Sequence, residues 1–283
     1  MSGEYWAWVR RYVVLVFGGG LLCLLCAVWV CPIELLTLLR LAAMIYIKEI
    51  INDSFGEGRQ GYPYDIPAVR ALDRLEFESD VTFFVGENGS GKSTIVEALA
   101  ICAGFNPEGG SIFMNHHTYD THSQLFESFR VVRGARRNRD GYFLRAESFY
   151  NIASETDRIS SRDQLERNYN GALHARSHGE SFMSVVENRL SGNGLYVFDE
   201  PESALSITNQ LRLLVRMKEL VEQGSQFIIA THSPVLLAYP GATIYSVSGS
   251  GLTPLQYEET DHYRLMKYFI SNHQGVLDEL FGG

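Results

Sequence analysis

The sequence predicts an α/β protein, a parallel sheet interleaved with helices, preceded by a hydrophobic N-terminal helix. Three observations predict it. From Val81 onward, short apolar runs alternate with segments of helical period, the order expected of parallel strands joined by helices. The first of these runs opens into a glycine-rich loop and then a helix. Hydrophobic residues make up 46% and charged residues 20% of 283 residues, enough apolar material for a sizeable core. The chain divides into residues 1–43, the hydrophobic segment, and residues 44–283, the α/β domain.

Residues 12–33 carry no charge and are long enough to cross a bilayer as one helix. Arg10 and Arg11 precede the run, and Arg40 and Lys48 follow it, so the charge asymmetry that orients a span is partly cancelled. Two readings stay open. Residues 12–33 anchor the domain to the inner membrane, or the natural chain starts at Met44, where Met44–Ile50 alternates like an opening strand. A secretory leader is disfavoured, because no small-residue cleavage site follows. Cys23, Cys26 and Cys31 all lie in or beside the apolar run and Cys102 stands alone, which is no disulfide framework and fits a reducing, cytoplasmic domain. A formal charge of −9 excludes bulk attraction to polyanions. Residues 51–75, with Gly56, Gly58, Gly61, Pro63 and Pro67, read as loops between short strands.

Val81–Val85 reads as a buried strand and runs into Gly86, Glu87, Asn88, Gly89, Ser90, Gly91, Lys92, Ser93 and Thr94. Ile95, Val96, Leu99 and Ala100 then recur at helical spacing, up to a stop at Gly104 and Pro107. Strand, glycine-rich loop and helix in this order form a phosphate-binding loop. The glycines bring backbone N–H groups onto phosphate oxygens, and the helix start favours the anion. Lys92 carries a charge to the β- and γ-phosphates, and Ser93 offers its hydroxyl to Mg2+.

Leu195–Phe198 is a second apolar run, ending in Asp199-Glu200. Asp199 is the candidate second metal ligand and Glu200 the group that polarises the attacking water. Phe227–Ala230 is a third, followed by Thr231-His232, and His232 is placed to face the γ-phosphate. Ser177 and Glu180 have capping-box spacing before a helix with Phe182, Val185, Val186 and Leu190 on one face. Ser177 and the Gly179 backbone also make a candidate second anion site, one that would serve a partner's nucleotide.

The order GENGSGKST, SHGES, LYVFDEPESALS and IIATHSP resembles the ABC-type ATPase head, a superfamily that spans transporter motor subunits, SMC and RecF-like ATPases and small stand-alone bacterial ATPases. From Met44 onward the chain is most similar to the last group, which also shows a strand like Tyr142–Phe149. The resemblance implies a P-loop NTPase with an ABC-ATPase-type mixed sheet, ATP and Mg2+ as ligands, and hydrolysis to ADP and phosphate. It implies Walker A at Lys92 and Ser93, Walker B at Asp199 and Glu200, and the signature at Ser177, Gly179 and Glu180. It further implies a D-loop at Ser203–Ser206, a switch histidine at His232, and two heads enclosing two ATP molecules. His178 departs from the usual Gly of the signature. Glu147 or Gln124 stands where a Q-loop Gln is expected, and Tyr62 and Tyr64 are candidates for stacking on adenine.

The stretch between Lys92 and Ser177 is too short for the long coiled-coil arm of SMC proteins. Arg130, Arg133, Arg136, Arg137 and Arg139 form a basic cluster that reads as a DNA contact, a solvated loop face or a protein contact. The expected function is a homodimeric nucleotide-driven switch acting on DNA or an unknown protein partner. The alternative is the motor subunit of a membrane transporter, which would need a separate multi-span partner.

Overall fold

The computed structural model describes residues 45–112 and 123–282. The apolar run of residues 12–33 lies outside them. Among the described residues no helix is long and apolar enough to cross a membrane.

Two sheets face each other across one helix. The main sheet contains β3 (Val81–Val85), β4 (Gly110–Ser111), β6 (Asp140–Arg145), β7 (Gly194–Asp199), β8 (Gln226–Ala230), β9 (Thr243–Ser248) and β10 (Gly251–Leu255), in the order β10-β9-β3-β8-β7-β6-β4. The inner five strands are parallel, while β10 and β4 run antiparallel at the edges, so the sheet is mixed as expected. The smaller sheet is antiparallel, β2 (Arg74–Glu76), β1 (Ile47–Asn52) and β5 (Phe129–Arg133) in that order.

Side-chain alternation sends each central strand's residues to opposite faces. Phe84, Phe143, Val197 and Ile228 pack with Ile47, Ile50, Ile95 and Leu99, so helix α2 (Lys92–Ala103) is enclosed between the two sheets. Phe83, Tyr142, Phe198 and Ile229 face the other way, into a core with Phe149, Phe182, Leu213 and Met217. Those four come from helices α3 (Phe149–Ile159), α5 (His178–Ser184) and α6 (Ile207–Glu222). Burial on both faces explains why the central strands read as continuous apolar runs.

Several sequence expectations are corrected here. Residues 51–75 are not all loop: Pro67–Ala71 forms helix α1, with Pro67 in its first turn where a missing N–H costs nothing. The strand expected at Tyr142–Phe149 ends at Arg145, and Phe149 already opens α3, because its ring is needed in the helical layer. The helix after Ser177 is regular only to Ser184 and finishes in a π-helical turn, Val185–Arg189, yet Phe182, Val185, Val186 and Leu190 are all buried as expected.

A buried amide ties the small sheet to the large one. Gln226, fully buried at the start of β8, accepts hydrogen bonds from the backbone N–H of Tyr46 and of Ile47, each at 2.9 Å, and donates to the Ile47 carbonyl at 3.0 Å. Gln226→Leu strands two buried N–H groups and a carbonyl. We expect a loss of about 2–5 kcal/mol in urea unfolding, seen as a lower midpoint at unchanged slope. A variant as stable as the wild type would show that water or a backbone shift satisfies these groups.

Candidate active site

Strands β3, β8 and β7 are neighbours, and Phe84 and Asp199 both pair with Ala230. Their carboxyl ends therefore deliver the glycine-rich loop, the acidic pair and the Thr231-His232 turn to one edge of the sheet, where parallel α/β sheets bind ligands.

The loop from Gly86 to Thr94 wraps the start of α2. A Cβ at Gly86 would lie 2.4 Å from the Val247 carbonyl oxygen, so only glycine lets the chain leave β3 there. Lys92 is 3% exposed and its Nζ donates to the carbonyls of Gly86 and Glu87, both at 2.9 Å. Burial lowers its pKa, against the opposing pull of Glu200, Asp199 and Glu202. The Ser90 hydroxyl is buried without a hydrogen-bond partner. Tyr62, 71% exposed, reaches Thr94 Oγ1 through its hydroxyl at 3.4 Å. Tyr64 is instead turned inward onto Ser128 and Arg59. Of the two tyrosines expected to stack on a base, only Tyr62 stands free beside the loop.

Ser93 Oγ donates to Asp199 Oδ1 at 3.0 Å. Asp199 is 7% exposed, and burial pushes its pKa up to about 6 despite Arg145 and the Ser93 bond. Arg145 itself is held mainly by Glu97 at 2.6 Å, with Asp199 Oδ2 at 3.8 Å. Glu200 has φ 49° and ψ 52°, a left-handed conformation that costs a non-glycine residue of order 1 kcal/mol or more. Its N–H is fixed by the Ala230 carbonyl at 2.9 Å, and its side chain lines the cleft at this edge of the sheet.

His232 sits with Nε2 3.7 Å from Glu200 Oε1, buried and without a hydrogen-bond partner, while Nδ1 is 2.9 Å from His262 Nε2. Glu202 holds the turn, accepting the Thr231 hydroxyl at 2.7 Å and the His232 N–H at 2.5 Å. Its buried carboxyl titrates above the usual range. Sequence reasoning missed Glu202, Arg145 and His262. Glu202 lies inside the stretch after Asp199 and was readable as a strand-end acid. Arg145 and His262 have no local signal at all.

Ser93, Ala146, Glu147, His178, Asp199, Glu200 and Ser203 line a cleft of about 360 Å³. His178 thus faces its own chain's acidic pair, and its ring packs edge-on against Phe149 at 5.4 Å. Glu147 reaches the cleft with a largely exposed side chain, whereas Gln124 starts a 3-10 turn after Ser123 and is not among the lining residues. Ser177 and Glu180 are exposed and form the expected capping box. The Ser177 hydroxyl is also committed to Glu180 Oε2 at 2.7 Å. Gly179 has a packing reason of its own, since a Cβ there would meet the Ala204 carbonyl at 2.8 Å.

The basic cluster is divided. Arg130 pairs with Asp53 at 2.8 Å, and Arg133 donates to the Ala103 carbonyl at 2.9 Å. Arg136, Arg137 and Arg139 are exposed in the loop that enters β6, at the end of the sheet opposite the cleft.

The sequence model of the family described as AAA domain matches residues 66–219, more than half of the chain and all of the segment from α1 through the acidic pair. The chain belongs to the AAA domain family. With its glycine-rich loop and mixed sheet, this AAA-domain protein is a P-loop ATPase, and its curated relatives include ATP-binding proteins of ABC transporters. It is 28% identical over 188 residues to an uncharacterized ABC transporter ATP-binding protein of Haemophilus influenzae, covering 59% of this chain and 69% of that one. It is 25% identical over 235 residues to the arabinose import ATP-binding protein AraG of Pseudomonas syringae pv. tomato, covering 72% of this chain and 44% of the relative. The AAA-domain chain therefore spans about two thirds of the first relative and under half of the second. Among solved structures it aligns with the SMC head domain from Thermotoga maritima at a TM-score of 0.40 and 18% identity, over 75% of this chain and 100% of that one.

The AAA-domain residues fit a Mg-nucleotide on their own chemistry. Ser93 and Asp199 supply one hydroxyl and one carboxylate side by side, a donor set Mg2+ accepts while keeping its remaining waters. The Ser90 hydroxyl and His232 Nε2 are buried polar atoms without a partner at the same edge.

Proposed function

We propose that the chain binds ATP with Mg2+ and hydrolyses it to ADP and phosphate as a head-to-tail homodimer, each protomer's Ser177, Gly179 and Glu180 closing on the other's phosphate loop. The observation that supports this most is the contact of Ser93 with Asp199, beside a cleft on which Glu200 also opens and with His232 Nε2 close to Glu200. Bound Mg2+ would neutralise charge between the β- and γ-phosphates, held by Ser93 and Asp199. Lys92 exchanges its two loop carbonyls for phosphate oxygens, a gain because a buried ammonium is better satisfied by an anion. The backbone N–H groups of Gly86, Glu87, Asn88, Gly89, Ser90, Gly91 and Thr94 line the same cradle. Glu200 orients the attacking water and takes up its proton, and His232 faces the γ-phosphate through Nε2. Tyr62 covers the base.

Closure across the dimer requires the Ser177 hydroxyl to leave Glu180 for a phosphate oxygen, so the capping box doubles as a latch. The site belongs where ATP is abundant, in the cytoplasm, and residues 12–33 would tether it to the inner membrane. Mixing two dead variants tests the shared site. Lys92→Ala and Ser177→Arg each lose turnover alone. A mixed dimer places the intact loop of one chain against the intact segment of the other, so mixing should restore phosphate release. No recovery at any ratio would confine the site to one chain.

A second reading is favoured by the curated relatives, which are named as ATP-binding proteins of transporters, among them an arabinose import and a macrolide export protein. In it the same chemistry drives a membrane partner. A switch acting on DNA draws less support, since Arg130 and Arg133 are engaged within the domain and the remaining arginines lie away from the cleft.

A further inference from the structure

We propose that His262 is a positioning residue that fixes the tautomer of His232, holding the proton on Nε2, the nitrogen that faces Glu200 and the γ-phosphate. This rests on the ATPase reading above and deepens it.

The two rings meet through His232 Nδ1 and His262 Nε2 at 2.9 Å, with centroids 4.9 Å apart and planes at 64°. Burial and the nearby Lys92 hold both imidazoles below the usual histidine range, so both are neutral near pH 7. A hydrogen bond between two neutral imidazoles needs one donor and one acceptor. The surroundings of the other ring nitrogen favour one arrangement, and it is reached only while His262 donates to Nδ1. Its Nε2 is buried, has no hydrogen-bond partner, and lies 3.7 Å from Glu200 Oε1. Glu200 is an acceptor, and so is a phosphate oxygen. A bare nitrogen lone pair there would be repelled by both, whereas N–H is attracted by both. The proton of His232 therefore belongs on Nε2, and Nδ1 must accept. A histidine commonly fixes its tautomer by donating Nδ1–H to a carbonyl, which leaves Nε2 as an acceptor. Here the neighbour is a second imidazole, and with its Nε2–H donated to His232 Nδ1 the assignment is reversed.

The fold builds His262 into this place from far along the chain. It opens helix α8 (Asp261–Ser271), capped by the buried Thr260, whose hydroxyl accepts from the Tyr263 N–H at 3.4 Å. Tyr263 packs on the Tyr257 ring at 4.7 Å, and the Tyr257 hydroxyl donates to the Pro234 carbonyl at 3.0 Å. The first turn of α8 is thus fastened two residues beyond His232, so the two histidines keep their distance when the turn shifts.

The test uses the full chain labelled with 15N-histidine. Long-range 1H–15N spectra read each ring's tautomer without nucleotide, and loss of one signal set in His232→Gln assigns His232 among the 8 histidines. The wild type should show His232 as the Nε2–H form. His262→Leu should move it toward the Nδ1–H form and lower kcat about 10- to 100-fold with KM for ATP nearly unchanged. His262→Gln, whose amide N–H donates in place of the ring, should restore both. The proposal is overturned by a wild-type Nδ1–H form, by an unchanged tautomer and kcat in His262→Leu, or by a Gln variant that restores neither. Should His262→Leu fail to fold, the wild-type spectrum and the Gln variant decide. A wild type without ATP turnover sinks the ATPase reading instead, and the spectra still judge the histidine pair.

Discussion

Glu200→Gln should cut ATP turnover about 10²- to 10⁴-fold, the range lost when a positioned general base is removed. The substitution keeps length and shape, and the left-handed backbone at this position accepts Gln no worse than Glu. Asp199, Ser93 and Lys92 are untouched, so nucleotide affinity should survive. The expected result is a protein that binds Mg-ATP, releases almost no phosphate, and elutes as a dimer only when ATP is present, because a ligand shared by two chains stabilises the form that binds it. Phosphate release and size-exclusion elution, with and without Mg-ATP, check both halves. Retained turnover would remove Glu200 from the chemistry. A variant that binds ATP yet stays monomeric at saturation would remove the shared site while leaving the phosphate loop standing.

Lys92→Ala should weaken nucleotide binding about 10- to 100-fold, the worth of one hydrogen bond to a charged group, and abolish measurable hydrolysis at cellular ATP levels. The reasoning starts from burial. Lys92 is nearly enclosed, and its ammonium is satisfied only by two carbonyls of the loop it serves. Truncation leaves those carbonyls without their donor and removes a cation that faces Glu200, Asp199 and Glu202. Equilibrium binding of a fluorescent ATP analogue and steady-state phosphate release are the measurements. Wild-type affinity would mean that the Gly86–Thr94 loop holds something other than a triphosphate. Thermal melting controls for folding, since loss of this cation acts on the domain's stability as well as on its ligand.

Much of the site was legible because each part is local. The loop from Gly86 to Thr94 carries its own chemistry, and the runs ending at Asp199 and Ala230 declare themselves as buried strands through unbroken apolar composition. Their convergence follows from parallel order alone. What could not be read was whatever depends on tertiary distance. His262 lies 30 residues beyond His232 in a stretch with no periodic link to it. Arg145 reads as the polar end of a strand, and only the packing of α2 brings Glu97 against it. His178 was read as a departure within a segment that serves another chain, because sequence spacing does not reveal that α5 folds over its own acidic pair. The strand that the resemblance implies through Phe149 ends at Arg145, and Ala146, Glu147 and Ser148 turn the backbone toward α3. Tyr62 and Tyr64 are equivalent in sequence and separate only through what their hydroxyls touch.

The pairing of Phe84 and Asp199 with one residue, Ala230, has a mechanical meaning. Three reagents hang from three adjacent rungs of a backbone ladder whose pitch, about 4.8 Å per strand, is set by peptide geometry and not by side chains. Core substitutions loosen or tighten the layers above and below, but they do not change that pitch. Only a slip of register does, and a slip of one residue would send every side chain of the strand into the opposite core layer. The spacing of the reacting groups is therefore among the last things mutation alters in this chain, while the peripheral loops remain free to vary.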